Sequence, residues 1–174
     1  MALNYTKLDA ETRNFMLEEL EMSVADNVVY ISNYLSDGGK ADWLNLLRTA
    51  CANGSDITLG DALRQNGRLL KRTMRRKPKG GFTEVDVPYT AHETLAEGQF
   101  NRLYIRAICR CAIATGQQTV LVYRAAERET ERPASIALID TEVDAAELLA
   151  KLRKALDFNS GFPEPNTGLC VKIN

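Results

Sequence analysis

Histidine is almost missing from this chain: His92 is the only one in 174 residues. A histidine-dependent nucleophile or a zinc centre has little to draw on, because a structural zinc site has too few ligands unless Cys51 and Cys170 converge with His92. Long apolar runs are missing too. Nothing approaches the roughly 18–20 residues of a membrane helix, and Met1–Thr12 lacks the layout of a secretory signal. The expected setting is cytoplasmic, with no membrane partner. Phosphate fingerprints are equally thin: Lys79-Gly80-Gly81 lacks P-loop spacing, and the loop Asn159–Gly168 has two prolines and two glycines without a dinucleotide pattern. No cofactor is expected.

Cysteines are few and scattered, at Cys51, Cys109, Cys111 and Cys170. They fall in stretches patterned as helix or strand, so they read as small buried hydrophobes in reduced form. On a helix Cys109 and Cys111 diverge by about 200°, which keeps both sulfurs from one metal. Neither a metal site nor a catalytic residue is assigned. His92 and the pair Glu93 and Glu97 are the closest approach to enzyme chemistry, and a helix cap with a solvated face explains them equally well.

What the chain does have is ordinary globular composition, 45% hydrophobic and 26% charged, with its charge segregated. Residues 1–63 carry 4 basic and 10 acidic side chains; residues 64–125 carry 12 and 4; residues 126–174 carry 6 and 9. The net charge of −1 conceals a basic middle between acidic flanks.

Hydrophobic spacing reads the first 67 residues as a helical layer. Leu17, Leu20, Val24, Val28, Ile31 and Leu35 form one stripe, opened by Thr6 and Asp9 as a capping-box variant and broken by Asp37-Gly38-Gly39. A second helix is expected from Lys40 to Ala52, ending at Asn53-Gly54 as a left-handed cap, and a third from Thr58 with Asp61, closing at Gly67. Residues 68–81 read as a basic linker. From 82 to 174 the pattern is β-α-β-β-α-β: a strand at Phe82–Val87, a long helix boxed by Thr90 and Glu93, strands at Thr119–Arg124 and Ser135–Ile139, a helix capped by Thr141 and Asp144, and a strand at Leu169–Ile173. The fold class is α+β, with the 82–174 unit arranged as a split βαβ, ferredoxin-like sandwich packed on the helical layer. One sheet face, with Leu121 and Tyr123 or Leu169, Val171 and Ile173, would need that layer or a second subunit as cover.

Two groups of side chains are candidates for interaction. The segment Arg68, Lys71, Arg72, Arg75, Arg76, Lys77 and Lys79 holds seven cations and no acid. Arg102, Arg106 and Arg110 recur every four residues and make a stripe down the long helix. Such a stripe suits phosphate backbones, or the acidic residues Glu18, Glu19 and Glu21 of the same chain or a neighbouring copy, and near-neutral net charge favours the acidic match. Base stacking of the RRM kind is not expected, since Ser135–Ile139 offers no aromatic.

The stretch Leu95-Ala-Glu-Gly-Gln-Phe-Asn-Arg-Leu-Tyr-Ile-Arg-Ala-Ile-Cys109, with Pro163-Glu-Pro-Asn-Thr-Gly-Leu169, resembles uncharacterised small proteins of bacteria and their phages. The resemblance covers about half the chain, transfers no catalytic residue and implies a phage or prophage setting. The expectation is a non-enzymatic structural protein that self-associates or docks with other subunits, for example in a virion. The alternatives are a nucleic-acid-binding accessory protein using residues 68–79 and the arginine stripe, and a phage-encoded inhibitor of a host protein.

Overall fold

A computed structural model describes residues 3–127, 132–154, 162 and 167–173. Leu156, and most of the expected loop at 159–168, lie outside them. The elements are α1 (Ala10–Ala25), α2 (Asp37–Asn53), α3 (Asp56–Arg64), β1 (Arg72–Arg76), β2 (Phe82–Asp86), α4 (Ala91–Ala114), β3 (Thr119–Arg124), α5 (Pro133–Ile136), β4 (Glu142–Asp144), α6 (Ala145–Lys154) and β5 (Leu169–Lys172). Helices and antiparallel strands coexist, as the α+β reading requires.

The molecule is organised around α4. Helix α4 packs against α1, α3, α6 and the strands β3 and β5. The apolar face expected from Ala96, Phe100, Leu103, Ala107 and Cys111 is buried, and so are Tyr104, Ile105, Ile108 and Cys109 on other sides. A helix covered all round is a core element rather than one with a solvated back. Its ends emerge: Glu93 in the first turn is exposed, as are Ile113 and Ala114 in the last.

Helix α1 is shorter than its stripe. Its cap is Asp9, whose Oδ1 accepts from Thr12 N at 2.9 Å. The helix ends at Ala25, with Asn27 at φ 55°, so Val28, Ile31 and Leu35 follow it in irregular chain and Ile31 is exposed. The expected helix breaker Asp37-Gly38-Gly39 is the first turn of α2, capped by the Ser36 hydroxyl, which accepts from Gly39 N at 3.1 Å. At its other end Gly54 has φ −109°, not left-handed, and simply donates to Ala50 O. Helix α3 opens earlier than expected, on a capping box between Ser55 and Thr58, and Gln65 rather than Gly67 caps its C-terminus.

The strands depart from the ferredoxin-like arrangement. Phe82–Asp86 forms as expected but pairs with Arg72–Arg76, a segment expected to be linker, in register Arg72↔Asp86 to Arg76↔Phe82. Among the described residues the main sheet has three strands in the order β4-β3-β5, all antiparallel. The expected strand Ser135–Ile139 is instead the short helix α5 and a turn, for which Pro133 at the first helical position is the local cause. The partner of β3 is Glu142–Asp144, with Val120 opposite Val143. Asp144 then caps α6 by accepting from Glu147 N at 2.8 Å.

Leu169, Cys170 and Val171 are buried in succession. Neighbouring residues on a strand point to opposite faces, so β5 is covered on both. Part of that cover is α4, from which Asn101 Nδ2 donates to Leu169 O at 2.9 Å. The N-terminal segment supplies more: Asn4 N donates to Ala125 O at 2.8 Å, the Tyr123 hydroxyl donates to Asn4 O at 2.7 Å, and the Tyr5 ring lies 4.6 Å from that of Tyr104. Leu121, Tyr123 and Ile173 are left half-buried.

Candidate functional site

The charges singled out in the sequence divide into two groups that behave oppositely. The first is drawn inward. Glu19 of α1 is completely buried, and its carboxylate is met by Arg106 Nε at 2.8 Å from α4 and by Arg153 Nε at 3.0 Å from α6. Arg106 also donates to Ser23 Oγ at 2.8 Å and Glu19 O at 3.0 Å. Arg110 lies over the Phe15 ring at 4.2 Å and faces Glu18 Oε2 at 2.6 Å, in a geometry too bent for a hydrogen bond. Arg102 donates to Leu152 O, and Glu21 is clamped by Arg48 at 2.7 and 2.9 Å. Burial works to raise the Glu19 pKa, but hydrogen bonds from Arg153 and the charge and hydrogen bonds of Arg106 outweigh it, holding the carboxyl below its usual range.

The second group is turned outward. Arg68 is tied back by Asp42 Oδ2 at 2.8 Å and Ala62 O at 2.7 Å, and Arg72 by Glu84 at 2.6 Å and Asp86 at 3.1 Å. Lys71, Arg75, Arg76, Lys77 and Lys79 are exposed and, among the described residues, have no side-chain hydrogen bond or ion pair. They sit on the β1–β2 hairpin, whose strands pack chiefly on each other. Its acids are both near its base, in the reach of Arg72, so the distal end from Arg75 to Phe82 is purely cationic.

Turn chemistry fixes that end. Pro78 presets φ, Gly80 at φ 91° and Gly81 at φ 78° supply the left-handed backbone, and Lys77 N donates to Gly81 O at 2.9 Å. On one face of the ribbon Met74 and Phe82 are 57% and 64% exposed beside Arg76.

A separate cleft of about 230 Å³ lies where α3 meets the first turns of α4, lined by Asp56, Ile57, Gly60, Asp61, Arg64, His92, Glu93 and Glu97. His92 thus faces a cleft together with Glu97 and not a closed core. The expected capping box of Thr90 and Glu93 is not formed: Thr90 makes no side-chain cap bond, and α4 starts from a turn in which Ala91 N donates to Pro88 O. Glu93 is thereby released to the cleft wall. The four thiols are unpaired and buried, and desolvation pushes Cys51, Cys109 and Cys170 up to about 12, which suppresses thiolate chemistry. Among the described residues no three of His, Cys, Asp and Glu are placed to hold a metal ion, and no helix is long and apolar enough to cross a membrane.

No protein-family model, curated protein or solved structure matches the chain.

Proposed function

We propose that this protein binds nucleic acid through the basic β1–β2 hairpin, as an accessory protein that works by contact. The observation that carries the reading is the contrast in the fate of the charges. Glu18, Glu19, Glu21, Arg106 and Arg110 are engaged within the chain, so the arginines of α4 and the acids of α1 are matched to each other and to Arg48. Five hairpin cations have no such partner among the described residues. A two-stranded ribbon fits the major groove of a duplex, and cations along it replace condensed counterions on the phosphates. Phe82 and Met74 add apolar surface for bases or sugars at the same end.

Fluorescence anisotropy with a labelled duplex and a labelled single strand, between 50 and 200 mM salt, tests this directly. Replacing Arg75, Arg76, Lys77 and Lys79 together by alanine is expected to weaken binding about hundredfold at the lowest salt and to flatten the salt slope by about 3–4. Absence of binding at 50 mM salt, or a slope the variant leaves unchanged, would overturn the reading. Capture of an acidic protein by the hairpin in place of either polymer would overturn it as well.

A further inference from the structure

The α3–α4 cleft points to a second site, independent of the hairpin. We propose that it binds an organic cation the size of a lysine or arginine side chain, with an alkylammonium or alkylguanidinium group held by carboxylates and a methylene stem against Ile57 and Gly60. Three observations converge on that chemistry.

The first is charge. Four carboxyl groups, Asp56, Asp61, Glu93 and Glu97, line a cleft that presents one guanidinium, Arg64. Arg64 is directed to the rim, where Nη2 donates to the Tyr89 hydroxyl at 3.4 Å and the guanidinium lies 5.7 Å from the ring centroid. Carboxylates gathered around a small volume repel one another, and an incoming cation reverses the sign of that interaction.

The second is His92. Its side chain is only 5% exposed, it lines the cleft, and it makes no hydrogen bond among the described residues. The nearest ionic group is Glu93 Oε1, 3.6 Å from Nε2, beyond hydrogen-bond range. The Tyr89 ring meets the imidazole edge-on, 6.1 Å between centroids, and the ring nitrogens are not sealed from the cleft, so a polar ligand there comes within their reach.

The third is shape. Asp56 is buried at the floor and fixed by Leu3 N, which donates to Oδ2 at 3.1 Å, so one carboxylate is preorganised rather than mobile. A cleft of about 230 Å³ suits one side-chain-sized group rather than a nucleotide. Burial raises the Asp56 pKa, an effect a bound cation would oppose.

Because His92 is the only histidine, its imidazole Hε1 is an unambiguous NMR reporter on the intact protein. Titration with n-butylammonium and n-butylguanidinium chlorides at low salt is expected to move that signal to saturation, with a Kd of about 1–10 mM. Sodium butyrate at the same ionic strength should leave it in place. The double variant D61N/E93Q changes two exposed residues and should weaken binding at least about tenfold, while the fourfold hairpin variant keeps it. A shift that fails to saturate by about 100 mM, an equal response to butyrate, or a double variant that binds unchanged would each overturn the proposal. Failure of the hairpin to bind nucleic acid would leave this result untouched.

Discussion

Replacing Glu19 by alanine is expected to destabilise the protein by about 3–5 kcal/mol, read from urea unfolding. The carboxylate is fully buried and joins three helices, through Arg106 on α4, Arg153 on α6 and its own α1. Its removal leaves the Arg106 guanidinium, itself 4% exposed, with Ser23 Oγ and the Glu19 carbonyl as acceptors but without its paired carboxylate, and leaves Arg106 and Arg153 facing each other with that carboxylate gone. Glu18→Ala is the control: that carboxylate is 57% exposed and its loss should cost under about 1 kcal/mol. A combined change of Glu19 and Arg106 to methionine should recover much of the single-variant loss, because the damage comes from an orphaned buried charge and not from a missing attraction. A single Glu19→Ala variant as stable as the parent would refute this view of the cluster.

The same carboxylate gives the stability a definite pH dependence. Hydrogen bonds from Thr12 N and Lys7 lower Asp9 to about 2, and Glu19 is held below its usual range despite its burial. Groups whose folded pKa is depressed stabilise the fold above their unfolded values near 4, and that contribution is lost as pH falls through the folded values. Asp56, raised chiefly by burial, works the other way: its contribution is present in acid and is lost as pH rises through its folded value. Unfolding free energy should therefore fall between about pH 5 and pH 2, and fall less steeply in Glu19→Gln. Equal slopes for the two proteins would show that Glu19 titrates alike in the folded and unfolded chain.

Gly39→Ala should cost about 3 kcal/mol although alanine is the better helix former. A Cβ at position 39 would stand 2.1 Å from Arg68 O and 2.9 Å from Arg68 C. That backbone cannot step aside cheaply. Arg68 O accepts from Ser36 N at 2.9 Å, Leu35 bridges Leu69, and Leu70 N donates to Tyr34 O at 2.9 Å, so the chain entering the hairpin is stitched to the chain entering α2. Its neighbour Gly38 meets nothing closer than Ser36 Oγ at 3.9 Å, and Gly38→Ala should stabilise by up to about 1 kcal/mol. Thermal unfolding of the two variants decides the matter: midpoints that move in the same direction would contradict the close approach.

Periodicity carried far along this chain where burial was one-sided or strands were short and β-branched. Thr119–Arg124 and the core of α4 were legible because repeat spacing, flanking glycine and local composition all agree there. Reading failed where neighbours in space overrule neighbours in sequence. Val28 and Ile31 continue the stripe of α1, yet the helix stops at Ala25 and the chain turns away. Ser135–Ile139 carries strand-like composition, but Pro133 starts a helical turn and β3 takes Glu142–Asp144 as its partner. Residues 72–76 looked like linker because arginine has no strong strand preference; pairing with Phe82–Asp86 across a tight turn makes them a strand.

By itself, the sequence determined the α+β class, the central helix, the burial of the four thiols and the concentration of cations in residues 68–79. These follow from side-chain pattern over a few residues. Tertiary structure decided which charges remain available: Arg106 finds Glu19 from 87 positions away and disappears into the interior, while Arg75 and Arg76 stay on a ribbon and, among the described residues, form no ion pair. It also decided that His92, Glu93 and Glu97 look onto Asp56 and Asp61 across a cleft. The reason is physical: spacing along a chain fixes the face a residue occupies, but only the packing of distant elements fixes what that face meets.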